Sequence, residues 1–344
     1  MEKIGIALIG CGRIGMTHLE ALKDLMRKEE TVRLVATADP QGNQAEQYGQ
    51  RYGAEFCTKN YREVLSHPGV HAVVLALPNH LHAPITIEAA EAGKHILVEK
   101  PMANTTEEAD RMVKAADRAG VKLMVAHSRR HIKALYTAWE MIDEIGTPIN
   151  MVYLSLAHQS VIPAYMYRKE TSGHLVFSAL GAHTVDYMLW LLKQKKRPVR
   201  VYAEGFSNVP KLEGIDEASM LIKFDDGAIA TTTLSLSNRT PRIERIVIIG
   251  TKGSMHLEHA YASSAGSPGV GAVRSRLIHN DRVAWDGIQG EWNFTLQMKA
   301  FIDCIREDRP PISDGRDVRH VIPIIEAADL SAEQHEAVTL PQPV

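Results

Sequence analysis

The chain has 344 residues, enough for two domains with separate cores, and 39 basic against 41 acidic residues leave a formal charge of −2. That balance supplies no field to gather nucleic acid or an anionic membrane, so a small molecule is the expected partner. Three scattered cysteines, Cys11, Cys57 and Cys304, with no CxxC pair, argue against a disulfide framework or structural zinc, and no apolar run approaches the ~20 residues of a bilayer span. Both point to a cytoplasmic protein. Met1 leads within three residues into an apolar run at 4–9, leaving no room for a secretory leader. β-type runs follow at 34–38, 72–76, 96–98 and 123–126, separated by stretches of helical spacing at 16–27, 44–52, 83–92 and 106–119. Thr105 and Glu108 offer a capping box for the last of these. Strands alternating with helices predict βαβ units, right-handed crossovers and a doubly wound parallel sheet.

Beyond Ser128 the texture changes. A helix is expected at 132–145, then β-type runs at 150–157, 199–203, 218–224, 228–235 and 243–250, with Asp225-Asp226-Gly227 as a hairpin turn. A helix at 180–192 interrupts them. The expected architecture is therefore an α/β domain over residues 1–126 and an α+β domain over 127–344, whose large, mainly antiparallel sheet needs cover on one face from helices, ligand or another subunit. The low-complexity stretch 263–271 reads either as a surface loop or as an active-site lid.

Gly10-Cys11-Gly12-Arg13-Ile14-Gly15 follows the first strand and opens a helix, the context in which G-x-G-x-x-G binds a dinucleotide. Gly10 permits the turn, Gly12 lets backbone approach a pyrophosphate, and Gly15 lets helix and strand pack. Arg13 and Ile14 share this loop. Asp39, 24 residues after Gly15, ends the second strand and is placed to accept the adenosine ribose hydroxyls. A carboxylate there would repel a 2′-phosphate, and Pro40-Gln41-Gly42-Asn43 brings no cation, so NAD is expected over NADP; Arg13 and Arg51 leave room for weak NADP use. Leu77, Pro78, Asn79 and His82 follow the strand at 72–76, and Asn79 and His82 border the nicotinamide half. His80 reads as a solvated loop residue. His80 and His82 lack the companions of a metal set, so no metal is assigned. Glu99 and Lys100 end the run at 96–98 on the same sheet edge, where open α/β sheets bind ligands.

Together these residues resemble the Gfo/Idh/MocA family of NAD(P)-dependent oxidoreductases. The resemblance spans nearly the whole chain and rests on segments 10–15, 78–101, 127–130, 181–192 and 248–255, with Glu99-Lys100-Pro101 followed by Gly181-Ala182-His183-Thr184-Val185-Asp186 as its specific part. It implies an N-terminal Rossmann domain and a C-terminal α+β domain whose open sheet often joins subunits into dimers or tetramers. It also implies that Lys100 and His183 face the nicotinamide. One position departs. Many members carry an Asp two residues before the glycine of the second motif, where this chain has Ala179. A branch acting on aromatic-catabolite hemiacetals also lacks that Asp, and 127–130, 182–186 and 233–237 look closest to it.

Hydride transfer from a secondary alcohol needs a base for the hydroxyl proton and a donor for the developing alkoxide. His183 and Lys100 fit those roles, and the sequence leaves open which takes the proton. Asp186, one helical turn on, is a candidate to orient a substrate hydroxyl or the imidazole. His158, Tyr165, Arg168 and His174 are candidates for the pocket wall or the surface. Arg129 and Arg130 are either forks for a substrate carboxylate or interdomain salt-bridge residues. The expected activity is NAD-dependent oxidation of a secondary alcohol or hemiacetal of a sugar, polyol or related ring. Internally recycled NAD in lyase or glycoside chemistry, and a non-catalytic dinucleotide sensor, are the alternatives.

Overall fold

A computed structural model describes residues 3–158, 163–193, 195–239, 242–261 and 273–341. The stretch 263–271, read above as loop or lid, lies outside them. The N-terminal sheet holds β1 (Ile4–Ile9), β2 (Val32–Ala38), β3 (Phe56–Thr58), β4 (Ala72–Leu75), β5 (His95–Val98) and β6 (Leu123–Val125), in the order β3-β2-β1-β4-β5-β6 and all parallel. Helices cover both faces, so the central strands are apolar throughout and buried on each side. The order reverses between β1 and β4, and at such a switch point the connecting loops part to leave a crevice beyond the strand ends. The helix Thr106–Ala119 has the expected capping box, with Thr105 and Glu108 each accepting from the other's backbone N–H.

The second sheet is β7 (Pro148–Leu156), β8 (Pro198–Phe206), β9 (Glu217–Phe224), β10 (Ile229–Ser235), β11 (Ile243–Gly250), β12 (Ser254–Tyr261), β13 (Val273–His279), β14 (Arg282–Ile288) and β15 (Val338–Thr339). Its order is β14-β13-β12-β11-β7-β10-β9-β8-β15, antiparallel except where β7 meets β10. Strand alternation puts Met151, Tyr153, Ala230, Leu234, Ile222 and Val201 under the helices. The opposite face is open, with Tyr202, Leu221 and Ile249 each about 40% exposed.

Three features differ from the sequence reading. β12 to β14 escaped it because charged and polar residues stand on both faces of these strands, which erases a clean apolar alternation. Helix Asn293–Arg306, from the half assigned to the second domain, packs Met298, Phe301, Ile302 and Cys304 into the cluster that holds Ile6, Leu19 and Leu22 of the first. The helix expected at 180–192 is Ala182–Leu191, preceded by a π turn at Phe177–Gly181. Such turns shift the backbone carbonyls out of the regular ladder, and this one lies beside the site. Among the described residues no helix is long and apolar enough to cross a membrane, and no three His, Cys, Asp or Glu side chains form a metal-holding group.

Candidate active site

The fingerprint loop has the shape a pyrophosphate needs. Gly10 has φ +100°, and a Cβ there would stand 2.2 Å from the Ala76 carbonyl oxygen; a Cβ at Gly15 would stand 2.1 Å from that of Gly10. A Cβ at Gly12 would meet nothing within 4 Å, so the turn is tight behind and open in front. Helix Arg13–Lys28 starts there with no capping side chain, which leaves its first amides and its positive end facing that space. The half-buried Ile14 packs against the core behind the loop.

Asp39 closes the adenosine side. Its Oδ2 accepts the Cys11 N–H at 2.8 Å and its Oδ1 the Gln41 N–H at 2.8 Å, which fixes the carboxylate and leaves lone pairs for ribose hydroxyls. Among the described residues no cation pairs with it, and Arg51 is engaged by Glu20 at 2.9 Å, away from any role over the adenine. These residues fit a dinucleotide without a 2′-phosphate. Asp39→Ala is expected to weaken NAD binding about tenfold or more and to erase most discrimination against NADP, checked by fluorescence titration with both reduced cofactors.

Past β4, the loop is stitched to the second half of the chain. Pro78 starts a short turn, Asn79 Nδ2 donates to the Ser172 carbonyl at 2.6 Å, and His80 Nδ1 lies 3.4 Å from that of Thr171. His82, expected to border the nicotinamide, is fully buried between the Leu77 carbonyl (2.9 Å) and the Pro101 carbonyl (2.7 Å). Burial holds its ring below the ordinary pKa despite those two acceptors, and a neutral imidazole donates to only one of them. It braces the ends of β4 and β5 against each other and presents nothing to the crevice.

Glu99 is buried. Burial opposes its charge, but His18 on the fingerprint helix, 2.8 Å from Oε1, and nearby Lys100 more than compensate and keep the carboxyl below its usual range. Lys100 is half-buried, and its Nζ donates to the Ala179 carbonyl at 2.8 Å. Burial brings its pKa down to about 8; Glu99 resists the fall, whereas Arg129 and Arg242 add to it. The acceptor lies in the π turn, so at the position where the family resemblance implied a carboxylate this chain offers a main-chain oxygen.

His183 stands in the first turn of Ala182–Leu191. Its Nδ1 is buried without a hydrogen-bond partner among the described residues, and its ring meets that of His127 edge-on, 5.9 Å between centroids. Burial, then Arg129 and Lys100, push its pKa well below the ordinary value, so the imidazole is neutral throughout the working range. His127 is also neutral, burial lowering it to about 4. Its Nδ1 lies 3.3 Å from Asp186 without hydrogen-bond alignment.

Asp186 does not orient His183 or a substrate. It is buried and held by Arg130 through two bonds, Nε to Oδ2 at 3.0 Å and Nη2 to Oδ1 at 2.5 Å, while Arg130 Nη1 donates to the Ile312 carbonyl at 2.6 Å. Arg129 is likewise no free fork: it donates to Tyr153 Oη at 2.8 Å and Glu244 Oε1 at 2.6 Å. A cavity of 460 Å³ adjoins the Arg130–Asp186 pair, lined also by Tyr136, Trp139 and Trp190. Tyr165 is half-buried; burial raises its hydroxyl pKa, with Glu99 adding to the rise and Arg13 opposing it. His158 is exposed at the end of β7 beside Ser237, and Arg168 is exposed. His174 bonds Asp329 at 2.9 Å and the Asn104 carbonyl at 3.2 Å, a link between elements and not a pocket wall. Sequence reasoning missed His18, Arg242, Glu244 and the Ala179 carbonyl; His18, Glu244 and the Ala179 carbonyl meet partners more than 50 positions away, and Arg242, two residues from Glu244, belongs to the site through the Glu244–Arg129 bond.

A doubly wound sheet with a glycine turn shaped for a pyrophosphate, a carboxylate at the end of β2 and a lysine at the end of β5 fits a dinucleotide-dependent oxidoreductase. The comparisons agree: residues 4–127 match the family model described as oxidoreductase family, NAD-binding Rossmann fold, and 140–340 that described as oxidoreductase family, C-terminal alpha/beta domain. The chain belongs to the Gfo/Idh/MocA family and is an NAD-dependent dehydrogenase. It is 28% identical over 319 residues to scyllo-inositol 2-dehydrogenase (NAD(+)) of Bacillus subtilis, covering 90% of this chain and 89% of the relative. A 4-carboxy-2-hydroxymuconate-6-semialdehyde dehydrogenase of a Sphingobium species is also 28% identical, over 90% of this chain and 92% of its own. The crystal structure of GenD2 from gentamicin A biosynthesis, in complex with NAD, superposes with a TM-score of 0.85 at 25% identity, covering 99% of this chain and 97% of that one.

Proposed function

We propose that this dehydrogenase oxidises a secondary alcohol or hemiacetal of a sugar, polyol or related cyclic substrate, with Lys100 as the group that takes the hydroxyl proton. The observation that carries this is the Lys100–Ala179 contact: a lysine with pKa near 8, held at the end of β5 by a neutral acceptor on the segment that leads to His183. Bound NAD supplies the hydride acceptor. The chain supplies the rest. Gly10, Gly12, Arg13, Ile14 and Gly15 cradle the pyrophosphate, Asp39 takes the ribose, and Leu77, Pro78, Asn79 and Glu99 line the approach to the nicotinamide. The substrate O–H bond breaks toward neutral Lys100 Nζ as the carbinol C–H bond gives up its electron pair, and the carbon–oxygen bond becomes a carbonyl. Neutral His183 is too weak a base to compete; it orients the hydroxyl by hydrogen bonding.

NADH formation across inositols, aldoses, sugar acids and cyclic hemiacetals tests the substrate class; turnover of acyclic alcohols alone contradicts it. Ala179→Asp places a carboxylate beside the ammonium, and an opposite charge raises a lysine pKa. The rising limb of kcat/KM against pH is therefore expected to move upward by about one pH unit or more, with activity at pH 7 falling accordingly. An unmoved limb removes Lys100 from the proton's path.

The open face of the second sheet, with Tyr202, Leu221 and Ile249 exposed, is proposed to contact another copy of the chain in a homo-oligomer.

A further inference from the structure

Two buried side chains join the helix of the glycine turn to Lys100. His18 lies in helix Arg13–Lys28 with its side chain 1% exposed, and its Nε2 stands 2.8 Å from Glu99 Oε1. The other oxygen of Glu99 accepts the Lys100 N–H at 3.1 Å. β5 ends at Val98, so that N–H has left the strand ladder and the carboxylate supplies its acceptor. The Glu99 N–H itself donates to the Leu75 carbonyl at 3.0 Å, which ties the same peptide to the end of β4. Lys100 is thereby held at both ends, its amide by Glu99 and its Nζ by the Ala179 carbonyl.

An ionised carboxylate only accepts, so His18 Nε2 carries the proton of this bond. Its Nδ1 is buried without a hydrogen-bond partner among the described residues, and Phe294 meets the imidazole edge-on, 5.8 Å between centroids. A buried carboxylate is costly unless bonded, and apolar side chains in place of such a pair are often neutral or stabilising, so packing alone gives no reason for a histidine and a glutamate here. His18, Lys100 and His82 act on the charge of Glu99, and Glu99, Arg129 and Arg242 on that of Lys100. Burial alone would drive the Glu99 carboxyl to its neutral form; His18 contributes most to keeping it charged, and the charged form holds up the basicity of Lys100 against burial.

We propose that His18 is a positioning residue for the reaction: bonded to Glu99, it fixes the peptide that presents Lys100 and keeps a carboxylate beside the lysine. The bond links the helix that opens at the pyrophosphate turn to the group that takes the hydroxyl proton. This rests on Lys100 being that group.

Competitive acetylation of the full-length enzyme with acetic anhydride, read at Lys100 by peptide mass spectrometry over about pH 6 to 11, tests this without a substrate, with the exposed Lys114 as internal control. The Lys100 midpoint is expected at about 8 in the wild type. His18→Met leaves Glu99 buried without its donor, so the carboxyl takes up a proton and the Lys100 midpoint falls by about one pH unit or more. His18→Gln, whose amide N–H reaches about as far as Nε2, keeps the midpoint within a few tenths of wild type. Glu99→Gln, isosteric and neutral, lowers it as His18→Met does and reads the same link if that variant does not fold. A midpoint unchanged or raised in folded His18→Met or in Glu99→Gln overturns the proposal, as does an equal fall in His18→Gln or a fall that Lys114 shares. Failure of the reading it rests on is separate: it shows as turnover surviving Lys100→Met, whatever the labelling.

Discussion

Lys100→Met lowers kcat at least about 1,000-fold while NADH binding stays within a few-fold of wild type. The size follows from the role. A positioned acid or base contributes about 10²–10⁴ in rate, and no neighbour can substitute, because His183 and His127 are both pushed too low to hold a proton at neutral pH. The cofactor contacts lie elsewhere, on the loop 10–15 and on Asp39, so the pyrophosphate and ribose are still held. Methionine keeps the length and apolar stem of lysine and leaves only the Ala179 carbonyl without its donor. Fluorescence titration and steady-state turnover on the same preparation separate the two effects. A variant that loses NADH binding along with turnover would mean that Lys100 holds the cofactor, not the proton.

Asp186→Ala is expected to cost about 3–5 kcal/mol of stability, the usual penalty for leaving a buried charge without its counter-ion. Arg130, its guanidinium 4% exposed, would keep only the Ile312 carbonyl and its place over the Trp190 ring at 5.3 Å. Equilibrium denaturation reads the loss directly. Because Asp186 lies behind His127 and touches neither Lys100 nor His183, the folded fraction is expected to keep a pH profile like that of wild type. A large catalytic defect in a variant of normal stability would instead place Asp186 in the chemistry.

The N-terminal half was legible because its signals are local. Apolar runs of strand length, the glycine turn and the Thr105–Glu108 box each lie within a few residues, and each stands where the pattern places it. β3, three half-buried residues, was too short to read. In the second half, 217–224 and 229–235 with their Asp225-Asp226-Gly227 turn were legible as alternation, whereas β12 to β14 were not, since their polar residues serve both a buried row and a charged open face. The site divides in the same way. Lys100 and Asp39 are marked by the strands they end; His183 came only from the family resemblance. What the lysine touches is a main-chain oxygen exposed by a π turn, and which arginines share which carboxylate follows from sheet register across β7, β11 and β12. Neither is written in any short segment. Ala179 illustrates the limit most directly: it reads as a missing carboxylate, whereas the fold supplies an acceptor there all the same.

The pH dependence of kcat/KM for alcohol oxidation, measured from about pH 5.5 to pH 10 on the wild-type enzyme, tests the central claim most directly. With Lys100 as the proton acceptor, activity rises with pH through a single limb near 8 and levels off above it. A limb at or below about 6.5, the ordinary range of an imidazole, would hand the proton to His183 and contradict the account.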